Sequence, residues 1–598
     1  MKRTSSAQKG QALLLTTLSL TVLIGMLGLA VDLGWGRFQH RIAQAAADSG
    51  AISAAAKALD TMGQNDAPNC SVNVSCQSAT ACPASGSLNT ACLYAARNGF
   101  SSGGAAGRQT LLVAAGTGSA PANVPAVSDG IYWTQVTAGQ SSPQSFSGVL
   151  GNTMLNVGVR ATAAVVNKPV RQSLFLLNRS TDCVASAIGL GLVCGMDFLS
   201  VAGTTVNAGG GITMASVNSH GSLILPQVAA GTVLGSARFT SSYTHILGAG
   251  GISTLGVSDW TPDPINGFPD GDDFRDPMRG KGQPPAPTGL ANHPVPGGVI
   301  TGNLLTNLLT GTPTTLPPGN YYSTNPLTGT PLGTPVTVTG NVQFTDGANP
   351  PCGGFCNYVF YGGLVTGVAS VTTFSPGRYV FAGAQPVQGG PGLALNLGAN
   401  SVVRDLTPLV NNQATQNTDA GEIFIFTDSH YSGIQLPPAL QQSGLSLPHA
   451  TAGFQGGLGF RLTLHGLNSE SSAVPANLKT FAPTVIWQDQ ANTTVSYQPS
   501  GLLDVSCGGI CSHILSVPGS QQMILQGSQF AGQTSVNIYG TIYGPRGSWI
   551  TTLGLLPGDG IAGPLQIITG ALQMALATRL DLSQLNSPLR RRVVALVE

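Results

Sequence analysis

The sequence ALLLTTLSLTVLIGMLGLAV, residues 12–31, decides how this chain is organised. It contains no charged residue, and as an α-helix it would be about 30 Å long, the thickness of a bilayer's hydrocarbon core. Lys2, Arg3 and Lys9 precede it, whereas the arginines that follow are accompanied by aspartates, so the charge bias slightly favours a cytoplasmic N-terminus. The segment is therefore predicted to be a transmembrane helix that follows a cytoplasmic tail, residues 1–11.

A cleaved signal peptide is the alternative for this segment. The small residues Ala45, Ala46 and Ala47 suit a cleavage site, but they lie well beyond the apolar run. That run is also longer than the roughly 7–15 residues of a signal-peptide core. We therefore expect an uncleaved, single-pass membrane anchor, with the bulk of the chain periplasmic or extracellular.

The composition restricts the class of protein. Among 598 residues only 8% are charged, 42% are hydrophobic, and the net charge is +1. Disordered chains combine low hydrophobicity with high net charge, so this chain is predicted to fold. Its 80 glycines have no three-residue period, which excludes collagen. Without a basic field, nucleic acid is not expected as a partner.

Beyond about residue 170 the chain consists of short β-branched and aromatic segments bounded by Gly, Pro or Asn. Examples are VTVTGNVQF (336–344), RYVFAG (378–383) and EIFIFTD (422–428). No strand–helix–strand rhythm occurs, so the fold class is predicted to be mainly β. The ectodomain is expected to be β-helix-like, with a β-sandwich as the alternative.

Composition shifts suggest further boundaries along the chain. Small residues form a stripe on the helix that continues after residue 31. This stripe would pack on its own domain or on a partner helix. The remaining predicted segments are a β-rich segment (169–262), a Pro/Gly/Asp-rich linker or loop (263–298) and a β-helix-like domain (299–598).

All ten cysteines follow the apolar segment, which is typical of disulfides formed outside the cytoplasm. A Gly-Gly turn within each CGGxC unit would bring its two cysteines close enough to bridge. A shared zinc site for the two units is the less favoured alternative. The cysteines predicted to form disulfides are Cys183, Cys194, Cys352, Cys356, Cys507 and Cys511.

The sequence contains no HExxH, GxSxG or phosphate-loop motif and no dinucleotide fingerprint within a strand–helix–strand unit, so we expect no enzyme activity, catalytic residue or cofactor. The acidic turn at Asp270, Asp272 and Asp273 lacks EF-hand spacing, and no metal site is predicted there. Because β-helix enzymes cut polysaccharides with carboxylates from neighbouring coils, Asp428 and Asp489 are the residues to consider for that chemistry, together with Arg546.

Two N-terminal motifs carry a family resemblance. GLAVDLG (28–34) is followed by QAAAD (44–48), and FSGVLG (146–151) is followed by LNVGVRATA (155–163). Over about the first 165 residues this pattern resembles TadE/TadG-like Flp pilus-assembly proteins. The resemblance implies a small α+β module over residues 32–168. The motif residues that the resemblance marks for structure or interaction are Asp32, Gly34, Gln44 and Asp48.

The resemblance implies an inner-membrane protein of a tight-adherence pilus or secretion system, with the membrane and other assembly or secretion proteins as partners. We therefore expect a non-catalytic, membrane-anchored envelope protein. The alternative is a glycan-binding or glycan-cleaving β-helix surface protein, for which a surface glycan would be the partner.

Overall fold

In the computed structural model the chain forms two compact units, described here separately: Met1–Lys168 with Arg590–Glu598, and Pro169–Leu589. The structure describes residues 6–63, 68–118, 130–144, 146–151, 153–170, 172–177, 184–185, 192–193, 196–199, 204–214, 231–234, 236–241, 244–246, 253–254, 257–261, 265–266, 276–278, 281–302, 312–383, 393–406, 420–445, 447, 451–456, 460–489, 521–527, 535–552, 560–575, 579–585 and 589–597.

Within these residues there are a few helices and many strands. The helices are α1 (Ser6–Met62), α2 (Ser87–Arg97), α3 (Gly104–Gly107), α4 (Pro438–Ser443) and α5 (Ala476–Lys479), with 3-10 turns at Ser147–Leu150 and Pro351–Gly354. The strands are β1 (Gln77–Ala81), β2 (Gln109–Thr117), β3 (Gly130–Pro143), β4 (Met154–Pro169), β5 (Leu174–Leu176), β6 (Val184–Ala185), β7 (Leu192–Val193), β8 (Met196–Leu199), β9 (Thr204–Ala208), β10 (Ile212–Met214), β11 (Gly231–Leu234), β12 (Ser236–Ser241), β13 (Thr244–Ile246), β14 (Ser253–Thr254), β15 (Val257–Thr261), β16 (Ile265–Asn266), β17 (Asn292–Pro296), β18 (Val299–Thr301), β19 (Thr314–Leu316), β20 (Gly319–Thr324), β21 (Val336–Thr339), β22 (Asn341–Phe344), β23 (Cys356–Tyr361), β24 (Leu364–Thr366), β25 (Val371–Phe374), β26 (Gly377–Ala382), β27 (Leu393–Leu397), β28 (Val402–Asp405), β29 (Glu422–Thr427), β30 (Thr451–Gly456), β31 (Arg461–His465), β32 (Thr484–Gln488), β33 (Gln521–Gly527), β34 (Ser535–Thr552), β35 (Gly560–Ala575), β36 (Arg579–Ser583) and β37 (Arg590–Leu596).

The first unit packs the second half of α1 against a five-stranded sheet of order β1-β2-β3-β4-β37. Alternate residues of β3 are buried, which is the period of a strand with one face on a core. The helix side of this core is formed by small residues that are fully buried: Ala43, Ala47, Ala51, Ala54 and Ala58. A Cβ on Gly50 would lie 3.3 Å from Val136, so the helix and the sheet approach closely here. The small-residue stripe therefore packs within its own unit.

The chain end belongs to this unit too. Arg590, Arg591 and Arg592 form part of the sheet and not a solvated tail. These residues begin β37, beside β4 in the sheet, and the Arg592 guanidinium donates to the carbonyl of Gly63 at 3.0 Å. The local sequence carries no sign of this, because a strand at a sheet edge is stabilised by distant partners.

The second unit is built from parallel strands that pair with the third strand along the chain. Among described strand pairings of this unit, only β6 with β7 is antiparallel. Three columns result: β17-β20-β23-β26-β29-β32, β18-β21-β24-β27-β30-β33 and β19-β22-β25-β28-β31-β34. One coil thus contributes three strands, whereas a β-sandwich is built from antiparallel sheets. The prediction of a mainly β fold with an N-terminal apolar helix is confirmed.

Identical or similar side chains stack inside the coils. Tyr358, Tyr379 and Phe424 are register partners on β23, β26 and β29, with ring centroids 5.1 and 5.2 Å apart. The same column continues through aliphatic side chains of the core, namely Ile486, Ile542, Ile567, Leu174 and Ile212. Uncharged stacks of this kind explain why so few charged residues are needed.

The order of coils in the stack differs from their order in the sequence. Strand β5 pairs with both β35 and β10, so the first coil of this unit lies in the interior of the stack. After this first coil the chain forms the coils that end at β16. It then begins a second series of coils at β17, whose described partner in the columns is β20. Successive coils from β17 lead back to β35. The stack is therefore completed by segments almost 400 residues apart.

Residues 276–278 and 281–290, called here the crossing segment, contact the coils in turn. Tyr543 on β34 donates to the Asp276 carboxylate at 2.6 Å, and Gln283 donates to Asp489, just after β32, at 2.6 Å. Next, the Tyr431 hydroxyl and the Arg378 guanidinium donate to the carbonyls of Pro284 and Pro285. Finally, the Asn320 amide donates to the Leu290 carbonyl at 3.5 Å. The segment thus passes from the last coils to the first.

Candidate functional site: an aspartate that binds a turn beside the apolar helix

The N-terminal half of α1 presents its apolar side chains outward. Leu23 is 57% exposed, and the other residues of 13–31 are exposed as well, except Gly28. The hydroxyls of Thr17 and Thr21 donate to the carbonyls of Leu13 and Thr17, so they expose no unpaired donor. Among the described residues this is the one helix long and apolar enough to cross a membrane.

Asp32 follows the apolar run directly, and its carboxylate is buried. Its Oδ2 accepts hydrogen bonds from the backbone N–H of Phe146 at 3.1 Å and of Ser147 at 2.7 Å. The Ser147 hydroxyl lies 2.7 Å from the same oxygen. One carboxylate thereby orders the 3-10 turn at Ser147–Leu150, on the connection between β3 and β4. Charge-assisted hydrogen bonds of this type are about twice as strong as neutral ones.

Two glycines let this turn and β4 approach the helix. A Cβ on Gly28 would lie 2.5 Å from Cγ of Phe146, and one on Gly36 would lie 2.8 Å from Leu155. Gly28, Asp32 and Gly36 are spaced four residues apart, so they share one helix face. That spacing is the sequence signal that could have identified the site, but nothing local indicates that Phe146 and Ser147 are the partners.

The other motif residues lie elsewhere on α1. Gly34 is exposed and a Cβ there would have no neighbour within 4 Å. Gln44 donates to Asp48 at 2.7 Å and its amide lies 3.4 Å from the carbonyl oxygen of Arg160 on β4. Because sixteen residues of helix are about 24 Å long, Asp32 and Asp48 do not form one site. Asp32 binds the turn, whereas Gln44 and Asp48 contact each other and the sheet.

Disulfides join three described cysteine pairs: Cys70–Cys76, Cys82–Cys92 and Cys352–Cys356. The described cysteines include no free thiol. The predictions for Cys183, Cys194, Cys507 and Cys511 lie outside the described residues. Within the described part of the chain, no group of three or more His, Cys, Asp or Glu side chains is arranged to hold a metal ion.

The residues considered for glycan cleavage are brought together only in part. Asp489 is buried, and it accepts hydrogen bonds from Thr427, the neighbour of Asp428, and from Gln283 of the crossing segment. The Asp428 carboxylate accepts from the backbone N–H of His430 at 2.6 Å. The side chain of Arg546 lies outside the described residues. The contacts of Asp489 therefore serve to hold the crossing segment.

A separate titratable cluster is enclosed at one corner of the coils. His465, which ends β31, pairs with the Asp405 carboxylate and stacks on Tyr539 at 4.7 Å. Its backbone N–H donates to Glu422 at 3.2 Å. Since His465 and Asp405 are about 5% exposed and Glu422 is fully buried, a substrate in solution does not reach them in this conformation. Burial lowers the pKa of His465 from 6.5 to about 4.

This pKa predicts how stability depends on pH. Between pH 6.5 and pH 4 the unfolded chain binds a proton at His465 that the folded chain does not, so the free energy of unfolding falls as the pH is lowered through that window. The loss is expected to reach about 3 kcal/mol. Denaturant titrations of wild type and His465→Gln at each pH measure it, and the variant should lack this contribution.

His430→Gln is the matched control, because its side chain is 85% exposed and should leave the profile unchanged. If the wild type gains stability towards pH 4 relative to His465→Gln, the charge of Asp405 outweighs the burial of the imidazole and the prediction is wrong.

Comparison with known proteins bears on α1. Residues 10–57 match the family described as "Putative Flp pilus-assembly TadE/G-like". This confirms the resemblance for the segment that contains Asp32, Gly34, Gln44 and Asp48, and relates the chain through it to pilus-assembly proteins. No curated protein matches the sequence. The solved structure of the competence-associated pilin ComZ from Thermus thermophilus aligns over 82% of this chain and 85% of its own, with 9% identity and a TM-score of 0.20. An alignment with so low a TM-score indicates neither a shared fold nor a shared function.

Proposed function

We propose that this chain is a non-catalytic, membrane-anchored envelope protein of a tight-adherence (Flp) pilus-assembly or secretion system. The observation that carries the proposal is the family match over residues 10–57, which coincides with the outward-facing apolar part of α1 and with Asp32. In this proposal α1 crosses the inner membrane once, and everything beyond it lies outside the cytoplasm. The three disulfides support that side of the membrane.

The two units would have different tasks. The first unit holds α1 and the motif residues, and it would contact other proteins of the assembly machinery. The surface of the coils of the second unit, in a chain with only 8% charged residues, would serve in assembly or attachment. The enclosure of His465 and Asp405 and the binding of Asp489 to the crossing segment support a role without catalysis.

Protease treatment of spheroplasts tests the topology. The protease should remove the bulk of the chain and leave a short protected N-terminal fragment, and cysteines should react with a membrane-impermeant maleimide only after reduction. The physical reason is that a helix of this hydropathy separates two aqueous compartments, of which the outer one is oxidising. Full protection, with thiols that remain unreactive until lysis, would place the chain in the cytoplasm and overturn the proposal.

Deletion of residues 12–31 tests the functional link in the same strain. Membrane association and pilus assembly should both be lost. A variant in which an unrelated transmembrane helix replaces residues 12–31 is the control that separates anchoring from recognition. If the deletion leaves membrane association and pilus assembly unchanged, the proposed role is wrong.

A further inference from the structure

The apolar surface of α1 extends past the hydrophobic run that the sequence identifies. On the exposed side of the helix Leu33, Trp35 and Phe38 are each about half exposed, and the first exposed charge is Arg37. Asp32, the one charged residue in between, faces the turn instead of the surroundings. The outward face is thus uncharged up to Gly36, and it ends in an aromatic pair followed by basic residues. This is the pattern of a membrane–water interface.

Along the helix, the turn at Ser147–Leu150 lies nearer than that interface to the middle of the apolar run. Its preceding residue, Phe146, contacts Gly28, nine residues before Arg37 and therefore roughly 13 Å along the helix axis. The headgroup layer of a bilayer is only about 5–8 Å thick on each side. If Arg37 is at the water boundary, the ring of Phe146 reaches the hydrocarbon. Even a span that ends at Val31 leaves Gly28 within the membrane.

The backbone of the turn is suited to such a depth. Non-helical backbone is tolerated in a bilayer only where its polar groups have partners. The N–H groups of Phe146 and Ser147 donate to Asp32, and Gly151 donates to the carbonyl of Gly148 at 3.1 Å. The sequence FSGVLG at 146–151 has no charge, and the Phe146 ring is 46% exposed beside the exposed apolar face of α1.

From these contacts we infer that the Phe146–Leu150 turn is a wedge that inserts into the leaflet facing the ectodomain, with lipid acyl chains as its partner. Asp32 binds the turn so that it can enter the apolar layer without unpaired N–H groups. The turn and α1 then fix the tilt and height of the first unit on the membrane. This inference rests on the proposed membrane span of α1, and its test separates the two.

Spin labels at single introduced cysteines measure the depth in the full chain, reconstituted in phosphatidylcholine–phosphatidylglycerol vesicles. The variants are Phe146→Cys, Leu23→Cys in mid-helix, and Tyr94→Cys as the aqueous control. Tyr94 matches Phe146 in exposure (42%), but its helix contacts Ser49, some 25 Å beyond Asp32 on α1. Labels at 146 and 23 should be accessible to oxygen and protected from an aqueous nickel chelate, and the label at 94 should show the reverse.

If the label at 23 is in lipid while that at 146 is as accessible to nickel as that at 94, the wedge is wrong and the anchor stands. If neither 23 nor 146 is in lipid, both the wedge and the proposed span are wrong. A label could itself displace the turn from Gly28, so the unmodified chain is also treated with a photoactivatable apolar probe that dissolves in the bilayer. Mass spectrometry should then find adducts on the peptide containing residues 146–151, and their absence from that peptide while α1 is labelled would overturn the wedge.

Discussion

Replacing Asp32 with alanine is expected to release the turn beside α1 and to destabilise it by about 3–5 kcal/mol. The substitution leaves the partly buried N–H groups of Phe146 and Ser147 without the carboxylate that accepts their hydrogen bonds. Hydrogen exchange at the Ser147 amide measures the effect. Exchange there should accelerate by about two orders of magnitude or more, because each 1.4 kcal/mol of local stability is a factor of ten.

Two further variants sharpen this prediction. Asp32→Asn keeps one carbonyl oxygen as an acceptor, so it should lose only part of the protection. Asp60→Ala, on the same helix, removes a carboxylate that is 74% exposed and pairs with Lys57 at 3.0 Å, so it should change exchange at Ser147 little. Unchanged exchange in Asp32→Ala would show that the packing of Phe146 against Gly28, and not the carboxylate, orders the turn.

Replacing Gly421 with alanine is expected to disrupt the coils around β29, at a cost of about 2–5 kcal/mol. Gly421 has φ +67°, and a Cβ there would lie within 3.0 Å of the backbone of Gly466 in the neighbouring coil. The backbone strain of a non-glycine residue at such a φ is about 1–2 kcal/mol, and overpacking against immobile backbone adds about 1–3 kcal/mol. Denaturant unfolding, with amide exchange at Phe424 as a local reporter, measures the loss.

Gly444 supplies a matched control for the same substitution. It has φ +63° after α4, almost the same backbone conformation, but a Cβ there would have no neighbour within 4 Å. Gly444→Ala should therefore cost only the strain of the left-handed conformation, about 1–2 kcal/mol. The difference between the two variants isolates the contact between coils. Equal losses would mean that the coils at this corner do not approach as closely as the structure shows.

The helix and the prevalence of strand were predictable because both depend on residues close in sequence. An uncharged run over residues 12–31 indicates a long apolar helix without reference to any partner, and the segments 336–344 and 422–428 show strand patterning within themselves. The cysteines of the 352–356 unit are likewise only four residues apart, so local geometry suffices to join them. Composition also indicated a fold with little charge, which the uncharged stacks inside the coils explain.

The candidate site was only half visible. Asp32 is marked by its position after the apolar run and by the family motif, but its partners are more than a hundred residues away. The pairing of His465 with Asp405 was missed for the same reason, since each residue ends a different strand and the sequence between them does not show which strands stack. When two side chains on different strands contact each other, the sequence of neither strand has a periodic pattern that marks the contact.

The sequence by itself thus determined the apolar helix, the mainly β class and the small residues that let α1 approach its sheet, because each depends on local periodicity. Only the tertiary structure decided the order of the coils, the contacts of the crossing segment and the place of β37. Parallel strands in successive coils have similar sequences and similar hydrogen-bonding edges, so no local pattern states that Leu174 is the register partner of Ile567. The pairing of these strands is fixed only when all the side chains pack together. The first coil of the second unit then lies between coils that are far from it in sequence.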